Sequence, residues 1–430
     1  MKNQANHTNQ NNQGLSRPSG SSGNLKPLYN TTIPNDWEEV KIKDIGKITS
    51  GTTPLRSKLS YHRNGTIPWV KTTDLNNSLI IETEEKITEL ALKETSLRIY
   101  PKDTVLVAMY GGFNQIGRSG ILGIDATINQ ALSAITVDKK EIDPIFLLNW
   151  LNAKVDVWKN LAGSSRKDPN ITSKDVGDFP FIKMPLPEQR AIADLLSTWD
   201  EAIAKHNQLI ARKEQRKKWL MQNLLTGKKR LKGFEKVKWS FVRFNEIYSQ
   251  VKEKAGNRKY IVLSVTKDGI VSQSEYFKKE IASEDTSPYL IMKKGDMVMS
   301  GLNFWMGSID VLTQFDSGIV SPAYRVFEIT NNSIDPDFMK FFVRSKIMLE
   351  ALIGSSVIGA SIVRRNLDRE TLDEWAFHLP SVDEQTAIAA VLHTADKEIQ
   401  LLKAKTEKLR EQKKGLMQLL LTGKKRLKNF

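Results

Sequence analysis

The sequence predicts an α+β protein in which two mixed α/β modules are joined by two long helices that pair as an antiparallel coiled coil. The first observation is a repeat, because the decapeptide at 225–234 returns almost unchanged at 421–430, an offset of 196 residues. The second is an apolar period of 3.5 residues ahead of each copy, and the third is a set of short β-rich runs elsewhere. Self-similarity at a fixed offset indicates that one unit occurs twice.

Composition restricts the functions open to the chain. Its 430 residues carry a formal charge of +15, from 64 Lys and Arg against 49 Asp and Glu, which favours a polyanionic partner such as nucleic acid or an anionic membrane surface. The absence of cysteine excludes disulfides, thiolate metal sites and thiol catalysis, and is typical of a reducing compartment. No apolar stretch approaches the ~20 residues of a membrane span, and the polar start is unlike a signal peptide. We therefore expect a cytoplasmic protein without a membrane partner.

Five segments follow from the repeat and the composition. Residues 1–28 are rich in Asn, Gln, Ser and Gly and predict a disordered tail. A first module then occupies 29–184 and a first helical spacer 185–234. A second module at 235–380 and a second spacer at 381–430 repeat the order.

Each spacer predicts a helix of roughly 35 residues with a coiled-coil seam. The first seam comprises Ile192, Leu196, Trp199, Ile203, His206, Ile210, Lys213, Lys217, Leu220 and Leu224. The second comprises Ile388, Leu392, Ala395, Ile399, Leu402, Thr406, Leu409, Lys413, Leu416 and Leu420. Two seams in one chain favour pairing with each other, antiparallel because a module intervenes, and polar seam positions would fix one register. The alternative is that each helix packs only on its own module.

The two modules share a plan while differing in detail. Apolar β-rich runs at 104–109 and 296–299 follow charged turns, and helical stretches at 144–162 and 336–353 begin after an Ile-Asp-Pro tripeptide. This pattern is typical of two modules that keep one scaffold and recognise different things.

No catalytic constellation is found. A Walker-type phosphate loop is missing, and none of the five histidines forms a metal-like pair. The tetrapeptide from Ser321 to Tyr324 only approaches the adenine-methyltransferase motif and lacks its Asn or Asp. His206 lies on the seam and is interpreted as structural. The sequence therefore predicts a protein that is not an enzyme.

Gly-rich polar loops follow equivalent strands in both modules. Asn and Gln can bond bidentately to adenine, Arg to guanine, and aromatic rings can pack on thymine methyls or sugars. The candidate base contacts are Tyr110, Asn114, Gln115 and Arg118 in the first module, and Asn303, Phe304 and Trp305 in the second. A second pair of loops offers Arg166, Lys167, Arg364 and Arg365 to phosphates. Ordinary hairpin loops are the alternative interpretation.

The ends of both helices are strongly basic. These ends, with the seam residue Trp199, are candidates for docking a partner, and a solvated helix face is the alternative. The basic candidates are Lys228, Lys229 and Arg230, and Lys424, Lys425 and Arg426.

From about residue 34 to the end, the chain resembles the specificity subunits of type I restriction–modification systems. The segments 33–42, 51–54 and 65–75 are similar to the family's module start, and Lys71, Thr72 and Thr73 of the last segment join the candidate DNA contacts. The family's Pro-x-x-Glu-Gln helix entry is matched by Glu188-Gln189 and Glu384-Gln385. The second module lacks the Gly-Thr-Pro and Ile-Pro-Trp segments, so its contacts are harder to place.

The resemblance implies two target-recognition domains, each reading one half of a split site in double-stranded DNA. It implies helices that space the domains and bind two methyltransferase subunits, with restriction subunits joining the complex. S-adenosylmethionine, ATP and Mg would then belong to those partners, and this chain would hold no cofactor. The rival interpretations are a coiled-coil scaffold with two ligand- or peptide-binding heads and a membrane-surface protein, both of which predict only weak, sequence-blind contact with DNA.

Overall fold

The computed structural model describes residues 33–162, 170–266, 269–277, 282–361 and 364–427. The predicted tail at 1–28 and the predicted loop residues Arg166 and Lys167 lie outside these ranges. The chain divides into two compact units, Met1–Ala202 with Leu409–Phe430, and Ile203–Lys408. Each unit therefore contains one module, and each long helix begins in one unit and ends in the other.

The first module is built mainly from short strands. They are β1 (Glu38–Lys41), β2 (Gly46–Ser50), β3 (Ile67–Val70), β4 (Leu79–Ile80), β5 (Glu85–Ile87), β6 (Val105–Ala108), β7 (Ser119–Leu122), β8 (Thr127–Ile128), β9 (Leu132–Val137) and β10 (Pro180–Lys183). The central sheet has the order β2-β9-β6-β7-β4, with only the β4–β7 pair parallel. A second sheet, β5-β3-β8, and the antiparallel pair β1–β10 complete the module.

The described residues of this module also form five short helices. They are α1 (Ile42–Ile45), α2 (Glu89–Glu94), α3 (Pro144–Ala153), α4 (Val155–Ala162) and α5 (Ser173–Asp178). Asp143 caps α3 by accepting a hydrogen bond from the Phe146 amide, and Pro144 suits the first helical position. The helical stretch predicted at 144–162 is thus two helices, α3 and α4, which part at Lys154.

The second module repeats this order after α6 (Leu186–Leu224). Its strands are β11 (Ser240–Arg243), β12 (Tyr248–Val251), β13 (Leu263–Thr266), β14 (Gly269–Ser272), β15 (Leu290–Lys293), β16 (Met297–Ser300), β17 (Ile309–Val311), β18 (Ser317–Val320), β19 (Tyr324–Ile329), β20 (Ser356–Ser361), β21 (Arg364–Leu367) and β22 (Ala376–Leu379). Its helices are α7 (Phe244–Ile247), α8 (Gln273–Tyr276), α9 (Pro336–Phe342), α10 (Lys346–Gly354) and α11 (Arg369–Asp373), and α12 (Val382–Leu420) follows. Ser345 caps α10, so the predicted stretch at 336–353 is also two helices.

The shared plan of the modules is visible in their sheets. The order β12-β19-β16-β17 in the second module matches β2-β9-β6-β7 in the first, and the pair β11–β22 matches β1–β10. The described parts of the modules differ at the periphery, where the first has the sheet β5-β3-β8 and the second has the hairpin β13–β14. A common scaffold therefore carries different edges.

Each module shares its core with the start of the helix that follows it. Ile192, Ala193 and Leu196 of α6 belong to the apolar cluster of the first module. Ile388, Ala389 and Leu392 of α12 do the same in the second module. The helix entries are therefore packed into the modules and do not project from them as free arms.

The seam prediction is confirmed, since every predicted seam position in α6 and α12 is buried or half-buried. In the second unit Lys213 pairs with Glu398 at 2.5 Å and Lys217 with Asp396 at 2.5 Å, so the α12 number falls as the α6 number rises. In the first unit Lys413 pairs with Asp200 at 2.6 Å. The helices are antiparallel, and the seam lysines are neutralised by acids of the opposite helix.

Candidate nucleic-acid interface

The loop between β6 and β7 presents the candidate contacts of the first module. Gly111 and Gly112 have φ of +118° and +100°, a backbone that side chains strongly disfavour. Asn114 is exposed, and its carbonyl oxygen accepts a hydrogen bond from Arg118 Nε at 3.1 Å. That bond leaves the outer nitrogens of the guanidinium without a partner among the described residues. Asn114 and Arg118 are therefore placed together at one edge, with donors and acceptors available.

A neighbouring segment lies against this loop. A Cβ added at Gly111 would stand 3.3 Å from Thr72 Oγ1 and 3.6 Å from Gln115 Cβ, so Thr72 and the loop are in contact. Gln115 is half-buried, and its side-chain oxygen has no hydrogen-bond partner among the described residues. Thr73 is exposed beside Thr72. Two sequence segments about forty residues apart thus form one polar edge.

Lys71 and Tyr110 are less available for contact with DNA than the neighbouring candidate residues. Lys71 Nζ pairs with Glu84 at 2.8 Å and Glu85 at 2.7 Å, and its side chain is 15% exposed. Burial opposes the charge, but the two carboxylates raise the pKa of Lys71 overall. Tyr110 packs against the module core, and burial raises the pKa of its hydroxyl. A phosphate would have to compete with both carboxylates for Lys71.

In the second module the prediction of a loop around Arg364 and Arg365 is wrong, because both residues lie in β21, which pairs with β20 and meets the loop after β16. Trp305 follows β16, and the guanidinium carbon of Arg365, on β21, lies 4.4 Å from the centre of a Trp305 ring. Arg365 also donates to Ser356 Oγ at 3.0 Å across the β20–β21 hairpin. Asn303 is exposed next to them. Arg364 lies in β21, but its side chain is outside the described set.

Phe304 does not fit its predicted role as a base contact. It begins a 3-10 turn, is 1% exposed and belongs to the core cluster of the second module. Trp305 packs against the same cluster but remains half-buried. Val357 and Ile358 of the hairpin, which the sequence did not single out as candidates, are 56% and 66% exposed. The signal in the sequence is a β-branched pair that ends six residues before Arg364.

In the first unit a buried glutamate accepts hydrogen bonds from residues that are distant in the sequence. Glu188, at the start of α6, is fully buried and accepts a hydrogen bond from Trp37 Nε1 at 3.1 Å. Arg426 donates to both of its oxygens, at 2.9 and 2.6 Å, and also binds Asp36. The hydrogen bonds to Glu188 and Asp36 raise the pKa of Arg426. The chain beyond α12 is thereby held against the entry of the first module.

The second unit repeats this arrangement with its own residues. Glu384, fully buried at the start of α12, accepts from Trp239 Nε1 at 3.0 Å and from Arg230 at 2.7 and 2.6 Å. Hydrogen bonding to Glu384 raises the pKa of Arg230. Two of the residues predicted to dock partners, Arg230 and Arg426, therefore serve the protein's own fold.

The glutamine that follows each of these two buried glutamates forms hydrogen bonds to the module that precedes its helix. Gln189 Oε1 accepts from the Asp143 amide at 3.0 Å, and its Nε2 donates to the carbonyls of Glu141 at 3.0 Å and Met184 at 2.8 Å. In the second unit the corresponding partners of Gln385 are the Asp335 amide at 2.9 Å, the Ser333 carbonyl at 3.0 Å and the Pro380 carbonyl at 2.9 Å. The Glu-Gln pair thus joins helix, module and distant chain end.

The other basic residues of the helix ends remain on the surface. Lys228, Lys424 and Lys425 are exposed, and none has an ion pair among the described residues. Lys229 lies over the ring of Trp219 at 4.8 Å, and that tryptophan is 46% exposed. Trp199 is half-buried on the seam. The exposed lysines and Trp219, with the solvent-accessible part of Trp199, are therefore surfaces of the two helices that can meet a partner.

Within the described ranges, no group of three or more His, Asp or Glu side chains is placed to hold a metal ion. None of the helices in that part of the chain combines the length and apolarity needed to cross a membrane.

Comparison with known proteins agrees with this architecture. A family model for the type I restriction modification DNA specificity domain matches residues 34–215. The family model and the relatives described below support a type I restriction–modification specificity subunit, and the specificity subunits of such systems are non-catalytic DNA-recognition subunits.

Among its relatives, the type I restriction enzyme MjaVIII specificity subunit of Methanocaldococcus jannaschii is 26% identical over 95% of this chain and 97% of its own. The EcoR124I/EcoR124II specificity subunit of Escherichia coli is 25% identical over 38% of this chain and 41% of its own. The fold is similar to that of the S subunit from M. genitalium, with a TM-score of 0.52 at 15% identity over 91% of this chain and 97% of that one. A chain from a study of complex assembly and conformational transition of the type I R-M system reaches 0.57 at 14% identity, over 91% and 99%.

Proposed function

We propose that each module reads one half of a bipartite target in double-stranded DNA, and that α6 and α12 set the gap between the halves. The observation that supports this most is the pair of matching sheets, β2-β9-β6-β7 and β12-β19-β16-β17, which carry different residues at equivalent strand ends. Two modules with the same sheet but different residues at the strand ends are suited to bind two different DNA sequences. The net charge of +15 suits a polyanionic partner.

The first module would read bases with Asn114, Gln115 and Arg118. An exposed Asn amide can bond to adenine N6 and N7, and a guanidinium with free outer nitrogens can bond to guanine O6 and N7. Thr72 and Thr73, beside the same loop, are suited to phosphates or to either base edge.

The second module would use Asn303 and the Trp305–Arg365 pair. Stacking on Trp305 restricts the guanidinium of Arg365 to few orientations, which lowers the entropy lost when it binds a base or phosphate. The exposed Val357 and Ile358 on the same hairpin can contact thymine methyls.

The helix ends would dock the other subunits of the complex. Lys228, Lys229, Lys424 and Lys425, with the seam residue Trp199, are the candidates that remain after Arg230 and Arg426 are assigned to the fold. Two methyltransferase subunits would bind here, restriction subunits would join them, and S-adenosylmethionine, ATP and Mg would be bound by those partners. The complex would act on DNA in the cytoplasm.

The test is a map of methylated sequences produced by the full complex carrying Asn114→Ala or Arg118→Ala. Each change should weaken discrimination by about 1–3 kcal/mol at one base position of one half-site and leave the other half-site unchanged. Lys102→Ala is the matched control, because Lys102 is an exposed cation at the opposite end of β6.

Equal losses on specific and random DNA for Arg118→Ala would contradict base reading. A purified chain that binds peptides but shows no sequence preference on DNA would favour the scaffold interpretation instead.

A further inference from the structure

We propose that Gln189 and Gln385 are positioning residues that fix the direction in which each module leaves its helix, and so restrict the target to one gap length. The proposal rests on the function proposed above. It starts from a pair of side chains that are 0% and 1% exposed and make the same three hydrogen bonds in both units. Neither glutamine contacts a candidate DNA-binding residue in these bonds, so their part in recognition would be geometric.

The apolar contacts between helix and module cannot supply this direction by themselves. Burial of Ile388, Ala389 and Leu392 in the second module's core stabilises the contact, but the hydrophobic effect is non-directional and tolerates small rotations. Hydrogen bonds fall off steeply with distance and angle. Together with the neighbouring tryptophan–glutamate bond, the three bonds from one amide therefore define an orientation that packing leaves loose.

Each glutamine also joins two separate parts of its module. One oxygen and one N–H of Gln385 bind Asp335 and Ser333, just before α9, while its other N–H binds Pro380, just after β22. Gln189 makes the corresponding bonds before α3 and after β10. The start of a core helix and the exit of a strand are thus tied to the first turn of the long helix.

A small change in the angle between a module and its helix would shift the module along the DNA. A rotation of about 10° moves a point about 20 Å away by roughly 3.4 Å, which is one base-pair step. Losing the three bonds at one joint would therefore allow gaps one base pair longer or shorter, without altering the bases that either module reads.

The neighbouring glutamates are less suitable for a test. Glu384 holds the charged Arg230, so its removal would leave a half-buried cation without its partner and disturb folding. A methionine in place of glutamine keeps the length and volume of the side chain and removes only the hydrogen bonds.

The experiment uses the full chain assembled with its methyltransferase subunits, carrying Gln189→Met, Gln385→Met or both. The substrate is a DNA library in which both half-sites are fixed and the gap length varies, and methylated molecules are sequenced. We expect unchanged half-sites and about a tenfold relative gain at gaps one base pair from the preferred one, which corresponds to about 1.4 kcal/mol. Arg190→Met, at the exposed neighbour of Gln189, should keep a single gap.

A uniform loss of methylation at every gap, with the preference intact, would show that the glutamines only stabilise the fold and would overturn the proposal. If a methionine variant fails to fold, Gln385→Glu replaces it, since a carboxylate keeps the acceptor for Asp335 and loses both donors. A folded Gln385→Glu protein with unchanged gap preference would overturn the proposal equally. Failure of the parent complex to select any bipartite site would instead refute the proposed function.

Discussion

Individual carboxyl groups of this protein lie in contrasting environments. Glu188 and Glu384 are buried with an arginine and a tryptophan each, so their charge is matched. Asp296, in the turn before β16, is 8% exposed and accepts a bond only from the Lys293 amide, at 2.6 Å, among its described contacts. Burial, with a smaller contribution from the charge of Glu328, raises the pKa of Asp296 to about 6.

Asp296→Asn should stabilise the second module at neutral pH. Because the folded-state pKa is raised, the native state binds more protons than the unfolded state between about pH 4 and 6, and the free energy of unfolding falls as pH rises through that window. The cost of ionising Asp296 at pH 7.5 is at most about 3 kcal/mol. Asparagine keeps the acceptor for Lys293 and removes this cost.

Hydrogen exchange of the β16 amides at pH 7.5 measures the gain, with unfolding followed in denaturant as a function of pH from 4 to 7.5. Between pH 4 and 7.5 the free energy of unfolding should fall much less in the variant than in the parent protein. Asp316→Asn, at an exposed carboxylate of the same module, is the control. Equal protection in Asp296→Asn and the parent at pH 7.5 would show that ionised Asp296 is not destabilising.

At this scale the sequence predicted residue types better than residue directions. Asn114, Asn303 and the surface lysines are exposed as a polar loop or helix end requires. Phe304 and Trp305 could not be separated, because their directions depend on the φ and ψ of a turn that no periodicity records. Arg230 could not be paired with Glu384 either, since 154 residues separate them.

Among the secondary-structure elements, the long helices were predictable and the sheets were not. A 3.5-residue apolar period repeated over many turns is a strong signal, and both helices span 39 residues. The strands are two to six residues long, and their pairing joins distant segments, such as β2 with β9. The breaks at Lys154 and Ser345 depend on local backbone conformation and capping, which the apolar pattern does not report.

Arg230→Met should loosen the segment that follows α6. Arg230 has an 18% exposed side chain and holds the fully buried Glu384, so its loss leaves a carboxylate with only the Trp239 N–H. Breaking such a pair costs about 2–3 kcal/mol when one partner retains some solvent contact. Chemical denaturation and hydrogen exchange at the start of α12 measure the loss.

Lys229→Met is the matched control, since Lys229 is exposed and its ammonium group lies over the ring of Trp219. An Arg230 variant as stable as this control would mean that the buried glutamate is satisfied in another way. Because Lys228 and Lys229 are both exposed, we expect their neutralisation to leave the fold intact, so that partner docking can be tested without Arg230.

On the scale of the whole molecule, the duplication is expressed in both units. Each consists of a module, the start of the helix that follows it and the end of the other helix. The offset of 196 residues maps Glu188 onto Glu384 and Arg230 onto Arg426, so the repeat in sequence returns as a repeat in contacts. The repeat predicted two copies of a unit, but not that each unit is completed by the other copy's chain end.

The length of the paired helices is the proposed determinant of the gap in the target. Seven residues inserted after Asp200 in α6 and seven after Gln412 in α12 keep the heptad register and the Asp200–Lys413 pair, and lengthen each helix by about 10 Å. Since a base-pair step is about 3.4 Å, the preferred gap should grow by about three base pairs. Three inserted heptads add about 31 Å, close to one DNA turn, so both modules should again meet the same face.

Sequencing of the methylated sites made by these extended chains, assembled with their methyltransferase subunits, is the most direct test of the account. We expect both half-sites to stay unchanged while the gap lengthens by about three base pairs for one heptad and about nine for three, with the higher activity for three. A folded, active complex that keeps the parental gap after either insertion would contradict the account.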